Sequence, residues 1–144
     1  MNDPVPRLSF IISVFNGLQF TKACLDSLHQ TVDLSTHEVI VVDDVSTDGT
    51  REFLARLREP ACRVMLNEAR RNFAANNNAA AAIARGEFLC LLNNDLVLRP
   101  GWLEPMLRAF ELFPAAGLVG NVQRNPRTRK YDHMGIVFGD SGLP

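Results

Sequence analysis

Several features are scarce or missing in this 144-residue sequence. Three cysteines occur, Cys24, Cys62 and Cys90, and no two of them form a CxxC pair. We therefore expect neither a disulfide framework nor a zinc site, and we interpret the cysteines as small core residues.

Fifteen basic residues against sixteen acidic ones leave a formal net charge of -1. That balance argues against nucleic acid as a partner, because no broad positive field exists to attract it.

Long hydrophobic runs and glycine-rich phosphate loops are also missing. The N-terminal MNDPVPRLSFIISVF has no cationic region before its apolar run, and the run is too short to span a membrane. We therefore expect a cytoplasmic protein without an integral membrane segment, with peripheral attachment to the inner face of the membrane as an alternative. The sequence contains neither GxGxxG nor GxxxxGK(S/T), so a bound phosphate would have to be bound by other groups.

Short apolar runs alternate with helical patterns along the chain. Strands are predicted over residues 8–15, 38–42, 62–66 and 87–92. Helices are predicted over residues 20–30, 51–59 and 73–85 and from Pro100 onward, with Ser46 or Asp48 capping the second and Gly86 ending the third. This alternation predicts a three-layer α/β/α fold with a mostly parallel sheet. The length and the 47% hydrophobic content favour a single domain over residues 1–144.

Side chains suited to ligand binding follow three of the predicted strands, where open α/β sheets bind their ligands. They are Ser13, Phe15 and Asn16 at the end of the first strand, Asp43 and Asp44 at the end of the second, and Asn93, Asn94 and Asp95 at the end of the fourth. Taken singly, the polar ones can simply satisfy turns or cap helices. Two adjacent carboxylates, however, repel each other unless cations or donors lie nearby. We predict that Asp95 binds Mg²⁺ or Mn²⁺, because such an ion can hold two phosphates without a glycine-rich loop.

Four segments, LSFIISVFNG, CLDSLHQT, EVIVVDDVSTDGT and ARGEFLCLLNNDLVLRPGWLEPML, resemble successive signatures of family 2 glycosyltransferases. The resemblance covers nearly the whole chain and implies the GT-A fold. It also implies inverting transfer of a sugar from a nucleotide-diphospho-sugar donor to a saccharide or lipid-linked acceptor. By resemblance, Asp44 contacts the base, Asn94 lies near the ribose and Asp95 binds the metal ion with Asn93. The nucleotide-binding residues implied in this way are Ser13, Phe15, Asn16, Asp43, Asp44 and Asn94.

The sequence departs from the family pattern at several positions. Asn93 stands at the first position of the usual Asp-x-Asp metal motif, so weaker metal affinity is expected. Val45 replaces a usual glycine, and Arg70 and Asn72 replace the Asn and Gly of a frequent Asn-x-Gly-Phe segment. Arg70 and Arg71 are interpreted as surface residues, with approach to the diphosphate as the alternative.

An inverting reaction needs a general base, which in this family usually lies in a second half that binds the acceptor. The chain stops at Pro144, before that half. Asp132, His133 and Asp140 are the remaining candidates, and none of them is assigned as the base. We therefore expect either a fragment of a longer enzyme or a chain that binds donor without transferring it.

Two other classes of protein are alternatives to a glycosyltransferase. A non-catalytic binding or assembly module is the main alternative, because a truncated chain exposes apolar surface that self-association would cover. A signalling receiver domain is the remote alternative, since it is also a small parallel α/β unit with an acidic Mg²⁺ site. Its acidic pair follows the first strand, whereas Asp43 here follows the second.

Overall fold

The computed structural model describes residues 6–125 and 127–133. Internal contacts divide the chain into two compact units, Met1–Pro100 and Gly101–Pro144. A single domain over residues 1–144 therefore stays a prediction.

The first unit alternates strands and helices, as the sequence predicts. Its strands are β1 (Leu8–Val14), β2 (His37–Asp43), β3 (Cys62–Leu66) and β4 (Phe88–Asn93). Its helices are α1 (Leu18–Thr31), α2 (Thr50–Arg56) and α3 (Phe73–Ile83), with a 3-10 turn at Leu34–Thr36. The four predicted strands are confirmed, and that over 62–66 matches at both ends.

The four strands form one parallel sheet in the order β3-β2-β1-β4. Ile11 of β1 is in register with Ile40 of β2 on one side and with Leu91 of β4 on the other. Connections between parallel strands are right-handed, and this rule places α1 and α2 on one face of the sheet and α3 on the other. Because the strands are parallel, the carboxyl ends of β1, β2 and β4 lie along one edge of the sheet. The predicted α/β architecture is confirmed.

Apolar residues of β1 and β2 form the centre of the core. On the face that α3 covers, Ile11, Ile40 and Val42 cluster with Ala80, all of them fully buried. The cysteines are free; Cys24 and Cys90 are buried, as predicted, whereas Cys62 is only partly buried. Burial, with a smaller contribution from Asp95, raises the pKa of the Cys24 thiol to about 11.

Gly86 has a different role from the one predicted. Helix α3 already ends at Ile83, so Gly86 does not terminate it. A side chain at Gly86 would bring its Cβ within 2.4 Å of the Ser9 backbone nitrogen. Glycine is required because the chain crosses β1 closely on its way into β4.

The second unit contains helix α4 (Leu103–Leu112) and an antiparallel pair, β5 (Gln123–Arg124) and β6 (Tyr131–His133). The helix predicted after Pro100 is present, and Pro105 lies within its first turn, as expected. Of the candidate bases, Asp132 and His133 belong to β6, and Asp140 lies outside the described residues. No helix among the described residues is both long and apolar enough to cross a membrane.

Candidate functional site at the carboxyl edge of the sheet

A cleft of about 290 Å³ opens at the carboxyl edge of the sheet. Its lining residues are Ser13, Phe15, Asp44, Arg70, Asn72, Phe73, Asn76, Asn93, Asn94 and Asp95. Six of the eight residues predicted from the sequence are thus brought together, whereas Asn16 and Asp43 do not line the cleft. The parallel sheet explains the convergence, because it carries three strand ends to the same place.

The Asp44 carboxylate is surrounded by donors from the protein. One oxygen accepts hydrogen bonds from the Arg71 backbone nitrogen at 2.8 Å and from Asn67 Nδ2 at 3.0 Å. The other accepts from the Asn72 backbone nitrogen at 3.2 Å and lies 3.1 Å from Arg70 Nε. Burial alone would raise the pKa of Asp44, but the hydrogen bonds outweigh it and hold the pKa below its usual value. Asp44 therefore stays ionised and fixes the loop over residues 70–72.

Two asparagines that the sequence analysis missed connect Asp44 to Ser13. Asn67 Nδ2 also donates to Asn76 Oδ1 at 2.8 Å, and Asn76 Nδ2 donates to Ser13 Oγ at 3.2 Å. Asn76 is only 1% exposed, so its amide needs these partners. A usable signal was present, since a run of three asparagines interrupts an otherwise alanine-rich helix.

Asp43 is held beneath this network and has its own cation. Arg51 Nη1 lies 2.8 Å from Asp43 Oδ2 and also donates to the Asn67 carbonyl at 2.9 Å. The Ser46 backbone nitrogen donates to the same carboxylate at 3.3 Å. The two adjacent carboxylates therefore coexist because each has separate donors. A direct role of Asp43 in nucleotide binding stays a prediction.

Asn16 joins the loop after β1 to the loop after β2. Its backbone, with φ 57°, donates to Ser46 Oγ at 2.8 Å, and its Oδ1 accepts from the Thr47 nitrogen at 2.8 Å. Asparagine tolerates this left-handed conformation better than most residues. Its side chain is thus committed to loop structure, and any contact with nucleotide stays a prediction.

Asn93, Asn94 and Asp95, at the end of β4, differ in the polar atoms that remain free to bind a ligand. Asn94 Nδ2 donates to Thr21 Oγ1 at 3.1 Å and to the Asn16 carbonyl at 3.3 Å, so its amide nitrogen already serves the protein. Asn93 and Asp95 are exposed. Within the described residues the Asp95 carboxylate accepts no hydrogen bond and forms no ion pair.

These residues fit one kind of divalent metal site. No cluster of three or more His, Cys, Asp or Glu suited to a metal ion exists in the described parts of the chain, and the Asp44 oxygens are already occupied. Asp95 and the amide oxygen of Asn93 are hard oxygen ligands. They suit an ion such as Mg²⁺ that takes its other ligands from phosphate and water.

Arg70 is more than the surface residue expected from the sequence. Its guanidinium carbon lies over the Phe15 ring, 3.3 Å from the ring centroid, while its Nε faces Asp44. The Arg70 side chain is 53% exposed. It therefore lines the cleft while remaining open to solvent.

A larger concavity, of about 390 Å³, lies elsewhere on the first unit. Its lining residues are Lys22, Gly49, Glu52, Phe53, Arg56, Leu57 and Arg58. None of the strand-end residues reaches it. The smaller cleft is the candidate site, because the strand-end carboxylates and amides line it and do not line the larger concavity.

Comparison with known proteins identifies the family. The profile described as Glycosyl transferase family 2 matches residues 9–140. The chain belongs to family 2 of the glycosyltransferases. A hyaluronan synthase of Pasteurella multocida is 34% identical over 125 residues, which are 84% of this chain and 12% of that protein. Membership in this family favours the glycosyltransferase interpretation over the receiver-domain alternative.

Solved structures of glycosyltransferases share the fold of this family 2 chain. A mannosyltransferase from Pyrobaculum calidifontis in complex with GDP-Man and Mn²⁺ superposes with a TM-score of 0.65 and 26% identity, over 85% of this chain and 36% of that one. TarS of S. aureus in complex with UDP-GlcNAc has a TM-score of 0.64 and 24% identity, over 74% of this chain and 31% of that one. The GT-A fold implied by the sequence is confirmed.

The family 2 chain spans only part of its relatives. Four of the curated proteins that it matches are covered over 12% to 36% of their own length.

Proposed function

We propose that this chain binds the nucleotide-diphospho-sugar donor of a glycosyltransferase in the cleft at the carboxyl edge of the sheet. One observation carries the proposal: side chains from three strand ends converge there, and the carboxylate at the tip of β4 has no partner among the described residues. Asp95 is therefore available for a ligand, whereas Asp43 and Asp44 are compensated by the protein.

Different residues are proposed to contact different parts of the donor. Phe15, 48% exposed, offers an aromatic face to the base, and Asp44 contacts the base beside the loop that it fixes. Asn94 lies near the ribose, with its amide oxygen as the remaining polar group. Asn16 and Asp43 contribute through the loops that they hold.

Asp95 is proposed to hold a divalent metal ion, with Asn93 as a neutral second ligand. A bound Mg²⁺ or Mn²⁺ would stabilise the negative charge that develops on the leaving diphosphate. Two observations support this assignment: Asp95 and Asn93 offer hard oxygen ligands, and the mannosyltransferase complex contains Mn²⁺.

The whole protein is proposed to transfer the sugar, with inversion, to a saccharide or lipid-linked acceptor. Relatives named as hyaluronan synthase, chondroitin synthase and succinoglycan biosynthesis protein support polysaccharide synthesis as its setting. We further propose that it acts in the cytoplasm, free or peripherally at the inner face of the membrane.

Calorimetric titration with UDP, GDP and dTDP, in Mn²⁺ and in excess EDTA, tests the donor-binding role. We expect at least one nucleotide to bind, about 10- to 100-fold more tightly with metal, because a charged contact contributes about 1.5–3 kcal/mol. Equal affinity in EDTA would contradict the metal site. Failure of all three nucleotides to bind would contradict the donor site itself.

A further inference from the structure

Arg70 makes two contacts at once inside the candidate donor cleft. Its guanidinium lies over the Phe15 ring, with Cζ 3.3 Å from the centroid, and its Nε lies 3.1 Å from Asp44 Oδ2. A planar group thus covers an aromatic face and forms an ion pair with a buried carboxylate.

A nucleobase can contact both of the same groups, the Phe15 ring and the Asp44 carboxylate. Uracil and guanine are planar, stack on aromatic rings, and carry a ring N–H that a carboxylate can accept. The face of Phe15 that the guanidinium covers cannot hold a base at the same time. Guanidinium and base therefore compete for Phe15 and for one oxygen of Asp44.

We propose that Arg70 occupies the nucleobase position while the cleft is empty, and that the base of the incoming donor displaces it. This inference rests on the proposed donor-binding function. Arg70 is then a residue that sets donor affinity, and it selects for bases that can replace both of its contacts.

Displacement is compatible with the rest of the site. The Arg70 side chain is half exposed and has a flexible stem, so it can leave towards solvent. Asp44 keeps three donors after Arg70 leaves, from Asn67, Arg71 and Asn72. The buried charge consequently remains compensated, and Oδ2 gains room for the ring N–H of the base.

The test compares the wild-type chain with Arg70→Ala and Arg70→Lys. Lysine keeps the positive charge and removes the planar group, so it separates charge from stacking. Uridine and guanosine are used as ligands because they lack phosphates, which would attract the Arg70 guanidinium. Exposed cation–π and ion-pair contacts are weak, and we expect both variants to bind the preferred nucleoside about 3- to 10-fold more tightly than wild type.

An independent readout is the Arg70 Nε–H resonance in a ¹⁵N-labelled chain, assigned by its loss in Arg70→Lys. Saturating the preferred nucleoside should move it to the position typical of solvated arginines. Weaker or unchanged nucleoside binding by both variants, or an unmoved resonance, would overturn the inference while leaving donor binding intact. Absence of nucleoside and nucleoside-diphosphate binding in every form would instead overturn the proposed function, and this inference with it.

Discussion

Asp48 Oδ2 lies 2.6 Å from the backbone nitrogen of Gly17, a residue 31 positions earlier in the chain. The same carboxylate accepts from the Leu18 nitrogen at 3.1 Å and, through Oδ1, from the Thr50 nitrogen at 3.1 Å. One side chain therefore holds the first turns of α1 and α2 together. Because those helices follow the strand ends that carry Phe15 and Asp44, Asp48 helps to fix the width of the cleft.

Replacing Asp48 with alanine should lower the melting temperature by more than Asp26→Ala, a control at an exposed position of α1. Hydrogen bonds, first from the Thr50 hydroxyl, lower the pKa of Asp48 from 3.8 to about 2. A lowered pKa stabilises the fold above pH 3.8, and this contribution is lost as the pH falls towards 2. Melting curves between pH 7 and pH 2 should therefore converge for wild type and Asp48→Ala. Curves that remain equally separated at the lowest pH would contradict this role.

Val45→Gly should stabilise the protein. Val45 has φ 64°, in the left-handed region that β-branched residues avoid. Glycine removes that strain at the cost of greater freedom in the unfolded chain, and we expect a net gain of about 1 kcal/mol in the free energy of unfolding. Chemical denaturation measures it, with Val97→Gly as control because Val97 is exposed and lacks a positive φ. A loss of stability in Val45→Gly as large as in the control would show that Val45 is not strained.

Glu38 should make the fold sensitive to acid. This buried carboxylate accepts from Ser9 Oγ at 2.5 Å, from the Arg85 nitrogen at 2.6 Å and from Arg63 Nη2 at 2.6 Å. Burial opposes its ionisation, but these partners prevail and lower its pKa from 4.5. Its stabilising contribution is therefore present above pH 4.5 and is lost as the pH falls through the lowered value.

Glu38→Gln should cost about 1.5–3 kcal/mol at neutral pH, because a neutral amide cannot replace the charged hydrogen bonds from Ser9, Arg63 and the Arg85 nitrogen. The exposed Glu87→Gln is the matched control. Urea denaturation between pH 7 and pH 3 should show a flatter pH dependence for Glu38→Gln than for the control. Parallel pH profiles would mean that other carboxylates dominate acid unfolding.

The strands were predictable because their patterns are local. The run VIVV, residues 39–42, is apolar on both faces, which is typical of a strand buried in a parallel sheet. The end of α3 was not predictable, because the chain leaves the helix at Ala84 to let the Arg85 nitrogen reach Glu38. That contact spans 47 residues and has no local signature.

The site was predictable to the level of strand ends, and less so for individual side chains. The position of Asp95 follows from the strand that precedes it. The actual partners of Asp44 do not, because Asn67 and the loop at Arg71 meet it only after the sheet and α3 have packed. Likewise, Asn16 directly follows the cleft residue Phe15 in the sequence, yet its amide oxygen accepts a hydrogen bond from the Thr47 nitrogen.

These 144 residues should bind donor without transferring its sugar. General base catalysis contributes about two to four decades in rate, and acceptor positioning can add more. A radiolabelled-donor assay against saccharide and lipid-linked acceptors should therefore detect no more than slow donor hydrolysis. Robust turnover would show that a base lies within the chain, with Asp132 and Asp140 the first to mutate.

Asp95 and Asp44 are proposed to have different roles, metal binding and support of the base pocket, and nucleotide affinity measured with and without metal distinguishes them. Dissociation constants for the preferred nucleoside diphosphate should be measured in Mn²⁺ and in EDTA for wild type, Asp95→Asn and Asp44→Asn. We predict that Asp95→Asn abolishes the metal dependence of about 10- to 100-fold while keeping the affinity seen in EDTA. Asp44→Asn should weaken binding in both conditions, because it loosens the loop over residues 70–72. Retention of full metal dependence in Asp95→Asn, or identical behaviour of the two variants, would contradict the account.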